Sequence, residues 1–209
     1  MLTLYDHPRS GNCHKVRLFL SMLRLPYESV FIDVPNGVNR EPFFTAINPL
    51  QQIPVLVDGD YTIQDSQAIL LYLAHRHAPD WAGNGAREIA DIAQWLSFAA
   101  NEIGNSLQPA RLYYLLGEEI DIAAAQAKSL RALKILDAHL TRHPWLAAGR
   151  PTIADLACFP YVGLAREGRM PLDDFPHVLD WISRIVALDG YVTMPGLPPP
   201  PATPDRAGA

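Results

Sequence analysis

The hydrophobic pattern of this chain changes character once, near residue 78. Before that point, short β-rich runs alternate with helical stripes. Leu2 to Tyr5 is an apolar stretch of strand length, followed by a polar loop from Asp6 to Gly11. Val16, Phe19, Leu20 and Leu23 then recur at helical spacing, and Leu18, Met22 and Leu25 form a second stripe, so this helix is expected to be covered on two sides. Pro26 ends it, and Val30 to Ile32 is the second strand candidate. Segment 33–53 is irregular, with room for a short helix over Pro42 to Ala46. In the run IPVLVDGDYTI, Asp58-Gly59 lies between two β-rich pieces. That predicts a tight hairpin, because glycine accepts the positive φ the turn requires. Asp65 and Ser66 then open a helix on which Ile69 and Leu73 repeat with a period of four. A βαβ start followed by a hairpin forces parallel and antiparallel pairs into one mixed sheet.

Beyond residue 78 no convincing strand remains. Pro79 to Gly85 reads as a linker. Ile89, Ile92, Ala93, Leu96 and Ile103 mark a long amphipathic helix, Leu130, Leu133, Leu136 and Leu140 another, and Val178, Trp181, Ile182 and Ile185 a late one. The expected organisation is therefore an α/β domain over 1–78, an all-helical domain over 86–194 and a disordered, proline-rich tail over 195–209.

Charge and cysteine usage narrow the function classes. Lys and Arg number 17 against 22 Asp and Glu, a net charge of −5 with no basic block, which argues against nucleic-acid binding. An anionic small ligand stays open, since a local field can oppose the global charge. Cys13 and Cys158 are too few and too far apart for a disulfide framework or a paired-cysteine zinc site, so no metal is expected. The start, MLTLYDHPRSGN, has neither the basic residues nor the apolar stretch of a signal peptide, and no run approaches the roughly 18 residues of a membrane span. A cytoplasmic address is expected, with no membrane partner.

Four local features carry chemical content. They are the loop-to-helix segment Ser10-Gly11-Asn12-Cys13-His14-Lys15-Val16-Arg17, the dipeptide Ile53-Pro54 before Val-Leu-Val, the helix start Asp65-Ser66, and Thr152-Ile153-Ala154-Asp155. Each has a purely structural explanation: a capped helix, a proline at the head of a strand, an N-cap, and a capping box in which threonine and acid satisfy free N–H groups reciprocally. In their order and separation, however, they resemble the cytosolic glutathione transferase family over about residues 1–190. The N-terminal motif is similar to that of bacterial, theta-, delta- and nu-like members.

The resemblance implies a thioredoxin-like N-terminal domain, an all-α C-terminal domain and a homodimer. It implies glutathione as co-substrate and a small electrophile in a pocket between the domains. It also implies a cis bond at Pro54, so that the N–H and C=O of Ile53 face outward and pair with the cysteinyl backbone of glutathione, as in strand addition. The γ-glutamyl end would lie at Asp65 and Ser66, its carboxylate on the helix start and its ammonium beside the acid. Gln51 and Gln52, with Arg40 upstream, are candidates for the glycyl carboxylate. The sulfur needs a donor, because a free thiol of pKa about 8.5 is mostly protonated at neutral pH. Ser10 matches the serine of theta- and delta-like members and comes first. Asn12 matches the asparagine of some bacterial members, and Cys13 would mean a mixed disulfide instead. Tyr5 is read as structural, and so is Asp155. His7, Phe98, Asn101, Tyr113 and Tyr114 are candidates for the second-substrate pocket. Two other functions fit the same fold: glutathione-dependent disulfide or peroxide reduction, and a non-catalytic binding or regulatory role.

Overall fold

The computed structural model describes residues 1–200. Strand β1 (Leu2–Asp6) runs into helix α1 (Gly11–Met22), which returns the chain to β2 (Tyr27–Phe31). After α2 (Pro42–Ile47), strands β3 (Val55–Asp58) and β4 (Tyr61–Gln64) form the hairpin, and α3 (Ser66–His77) follows. The sheet order is β2-β1-β3-β4, with β1 parallel to β2 and antiparallel to β3, which pairs antiparallel with β4. This is the mixed, thioredoxin-like sheet that a βαβ unit closed by a hairpin must give. Strand β2 begins three residues earlier than its apolar run suggests. Glu28 and Ser29 are exposed on this edge strand but pair in register with Thr3 and Leu4, so the ladder outruns the hydrophobic pattern.

The rest is helical: α4 (Gly85–Phe98), a π-helical turn over Ala99–Ile103, α5 (Leu107–Leu116), α6 (Ile122–Leu140), α7 (Ile153–Gly163) and α8 (Pro176–Val186). Helix α5 is not evident in the periodicity, because the π-turn and the bend at Gly104–Ser106 break the phase carried over from α4. Helix α7 is buried along its whole length. It is the axle of the molecule, packing against α1, α3 and α4. One apolar cluster accordingly runs from Leu4 and Phe19 through Ile69 and Phe159 to Trp181. The capping box at Thr152 is present. Asp155 Oδ2 accepts the Thr152 N–H at 2.9 Å, while Oδ1 accepts the Leu146 N–H at 3.0 Å and the Trp181 indole N–H at 2.9 Å. Asp155 is thus a structural hub.

The structure shows how the linker is held and corrects the expectation for the start of the tail. Residues 79–85 are held in place: Trp81 packs on Phe19 with ring centroids 5.2 Å apart, Ala82 is buried, and Arg150 donates to the Asp80 carbonyl at 3.1 Å. The start of the supposed tail is also ordered. Leu197 is buried over Gly163, where any Cβ would sit 2.6 Å from it, and the Tyr191 hydroxyl donates to the Pro198 carbonyl at 2.9 Å. A single buried leucine fixes what the proline-rich composition leaves open. Residues 201–209 of that tail lie outside the described residues.

Candidate functional site

A cavity of about 660 Å³ opens where the carboxyl end of β1 meets the π-helical turn, α5 and α7. Its walls include Ser10, Asn12, Gln51, Gln52, Ile53, Pro54, Asp65 and Ser66, so the structure brings every one of these eight candidates to one place.

The Ser10 wall is built by a buried ion pair. Arg17, nearly two turns into α1, pairs with Asp6 at the end of β1 and donates to the His7 and Pro8 carbonyls at 3.2 and 3.0 Å. That folds the loop back over the helix start. Ser10 is the N-cap of α1, and its Oγ accepts the Cys13 N–H at 3.2 Å. Capping uses an acceptor lone pair, so the hydroxyl proton of Ser10 stays free to donate. It sits at the positive end of a twelve-residue helix, where a developing anion is favoured. Gly11 lets α1 approach α7 closely, since a Cβ there would lie 2.9 Å from the Tyr161 ring. Cys13, by contrast, points into the core and does not line the cavity. Burial pushes its thiol well up, away from the reactive thiolate range.

The opposite wall comes from the irregular segment. Buried Asn39 donates to the Gln51 carbonyl and buried Asn48 to the Gln52 carbonyl, each at 2.7 Å. These two amides hold residues 51–53 in place, and Gln51 adopts a positive φ of 56°. The Gln51 side chain is spent on Thr45 at 3.3 Å, whereas Gln52 is exposed. The Ile53–Pro54 peptide is cis, as expected. Ile53 lies before the β3 ladder begins at Val55, and its N–H and C=O join no turn or loop hydrogen bond among the described residues.

Asp65 closes the third side. Its φ of 73° is unusual for a non-glycine residue, and such backbone strain concentrates at functional sites. Oδ1 caps α3 by accepting the Gln67 and Ala68 N–H groups at 2.9 and 3.0 Å, which leaves Oδ2 free for a cation. Ser66 is buried beneath it and donates to Gln67 Oε1 at 2.7 Å.

The helical wall departs most from expectation. Of the second-substrate candidates only His7 reaches the cavity, with burial lowering its pKa. Phe98 turns away to pack on Trp95, Tyr113 and Tyr114 pack on each other, and Asn101 is exposed. Arg40 is also outside. The π-turn rotates the next helix, and the residues that face inward are Gln108, Arg111, Leu112 and Leu115. Arg111 is 2% exposed, pairs with Glu167 and donates to the Arg9 carbonyl at 2.9 Å, tying α5 to the Ser10 loop. Arg111 and Tyr161 are not evident in the sequence because each sits inside an apolar helix pattern, and Lys15, though part of the loop-to-helix segment, carries no sign there of its burial. Spacing alone does not distinguish a buried polar residue from a solvated one.

The sequence matches two family models: "Glutathione S-transferase, N-terminal domain" over residues 1–75 and "Glutathione S-transferase, C-terminal domain" over 95–189. The chain belongs to the glutathione S-transferase family. Among curated relatives, it is 32% identical to glutathione S-transferase 3 of Zea mays, covering 97% of this chain and 98% of the relative. It is also 32% identical to the disulfide-bond oxidoreductase YfcG of Escherichia coli, covering 88% and 90% of the two. Among solved structures, a possible glutathione S-transferase from Rhodopseudomonas palustris superposes with a TM-score of 0.85 at 32% identity, over 92% of this chain and 97% of that one. The thioredoxin-like sheet and the helical half are therefore the glutathione transferase fold.

Proposed function

We propose that the protein is a glutathione transferase that stabilises the thiolate of bound glutathione and conjugates it to a small electrophile. The observation that carries this is the convergence of a free backbone edge at Ile53, a helix start with a spare carboxylate oxygen at Asp65, and an uncommitted hydroxyl at Ser10 on one cavity. Glutathione would pair its cysteinyl backbone with Ile53, seat its γ-glutamyl end on Asp65 and Ser66, and extend its glycyl carboxylate toward Gln52, with Gln51 shaping the turn. Ser10 would donate to the sulfur and favour its charged form, with Asn12 beside it on the same wall. The thiol proton leaves to solvent. The sulfur lone pair then forms the new bond to the electrophilic carbon, and the leaving group departs with its electron pair. We take the chain to act as a cytoplasmic homodimer. Tyr61, Leu71, Ile89 and Ile135 are apolar side chains left exposed, and among the described residues no helix is long and apolar enough to cross a membrane.

The test is calorimetric titration with glutathione, followed by turnover of an activated aryl halide. Binding below millimolar concentration and saturable turnover are expected, and no heat at millimolar glutathione defeats the proposal.

A second reading is favoured by the oxidoreductase relative: two glutathione thiols reduce a disulfide, giving oxidised glutathione and two product thiols. Buried Cys13 does not supply the nucleophile, so this chemistry would also use the sulfur at Ser10 and Asn12. Turnover of a small disulfide faster than of the aryl halide would favour it.

A further inference from the structure

Lys15 is a lysine in an unusual position. It projects from the first turns of α1, is only 1% exposed, and lines the cavity. Among the described residues it forms no ion pair; the salt bridges all use arginine. Its Nζ donates to Ser66 Oγ at 3.4 Å and lies 5.7 Å from the centre of the Tyr161 ring. The titratable groups facing it are Asp65 at the start of α3 and Cys158 and Tyr161 on α7. Asp65 attracts it through space, but its Oδ1 is committed to the helix cap. Cys158 and Tyr161 are both pushed up by burial, so neither is an anion at neutral pH. An ammonium buried without a direct counter-ion is costly, and the cavity wall is where an incoming anion would supply one.

We propose that Lys15 is the buried counter-cation of the γ-glutamyl carboxylate of glutathione, acting both by its charge and by orienting the Ser66 hydroxyl. The proposal rests on the glutathione reading above. Because Lys15 donates to Ser66 Oγ, the hydroxyl proton of Ser66 must go to some other acceptor. That acceptor is now Gln67 Oε1 at 2.7 Å, and a carboxylate at the start of α3 would take its place. The Gln67 and Ala68 N–H groups already serve Asp65, so the helix start has fewer free donors than an uncapped one. Lys15 makes up the deficit from below. Burial holds its pKa down to about 8, and a bound carboxylate would raise it again.

The experiment is calorimetry with S-methylglutathione, which has no thiol to ionise, on wild type, Lys15→Met and Lys15→Arg. Lys15→Met should weaken binding about tenfold to a hundredfold, the range for a charge-assisted hydrogen bond, without lowering the melting temperature of the free protein. Lys15→Arg should retain most of the affinity. At pH 8.5, titrations in two buffers of different ionisation enthalpy should reveal proton uptake on binding by wild type and markedly less by Lys15→Met. Unchanged affinity in Lys15→Met, or a lowered melting temperature with unchanged affinity, overturns the proposal and leaves Lys15 a packing residue. Should Lys15→Met not fold, Lys15→Gln replaces it in both measurements, since only the difference between variants separates uptake by Lys15 from uptake by the ligand's own amine. Absence of any binding by wild type overturns the glutathione reading and this proposal together. Tight wild-type binding without proton uptake overturns this one alone.

Discussion

The two walls of the cavity are made in different ways. The sheet-side wall is assembled from chain turns and helix starts: the capped start of α1, the Ile53-Pro54 corner and the strained Asp65 cap. Each is a local event written in a few consecutive residues. The helical wall is assembled from side chains on α5 and α7, and which of them face inward depends on helix phase and on neighbours far away in sequence. The sheet side delivers eight of its candidates and misses Cys13 and Arg40, while the helical side delivers none of the four expected from it. Local backbone devices can be read from a sequence at single-residue resolution, whereas a helix face cannot once a π-turn has shifted its phase.

The comparison implies that chemistry resides on one side and stability on the other, and it can be broken most easily at Asp155. Asp155→Ala strips the acceptor from the Leu146, Thr152 and Trp181 N–H groups at once. A lost cap alone costs about 0.5–2 kcal/mol. Three buried donors left unpaired should raise the loss to about 3 kcal/mol or more, measured by urea unfolding. The pH–rate profile of the folded fraction should not move, and a profile that does move would make Asp155 part of the site.

The same hub gives a test by pH. Burial raises the folded-state pKa of Asp155 from 3.8 to about 6, so between these values the folded chain holds a proton the unfolded chain has released. Its contribution to stability therefore falls as pH rises through that window. Buried His14, whose Nε2 lies 2.9 Å from the Val192 carbonyl, is lowered from 6.5 to about 4, and its contribution is instead lost on acidification. The two oppose each other in wild type. Asp155→Asn leaves His14 uncompensated, so the melting-temperature gap to wild type should widen from pH 7 to pH 4.5. A gap that narrows contradicts the assignment.

On the sheet side, Ser10→Ala should move the apparent pKa of bound glutathione up by about one to two units, since a charge-assisted bond contributes about 1.5–3 kcal/mol and one unit is about 1.4 kcal/mol. The measure is the pH dependence of turnover at saturating glutathione, with Asn12→Ala and Cys13→Ala alongside. A profile that moves only in Asn12→Ala transfers the role to Asn12. The smallest effect sharpens the helical wall: Leu112→Ala should lower kcat/KM for an apolar electrophile by about three- to tenfold through lost apolar contact, and Tyr113→Ala should leave it unchanged.

The sequence's φ restrictions, caps and periodicity, which act within a few residues, determined the sheet, the hairpin at Asp58-Gly59 and the helix starts at Asp65 and Thr152. The candidates of the glutathione side came from the resemblance to the glutathione transferase family. Only the tertiary structure decided that Cys13 is buried and Ser10 is not, that Lys15 and Arg111 reach the cavity while Tyr113 and Tyr114 turn from it, and that Leu197 anchors the chain after α8. The physical reason is the same in each case. Burial and facing are set by what packs on a side chain from another element, here above all by α7 inserted between the sheet side and the helical half, and no local spacing encodes that neighbour.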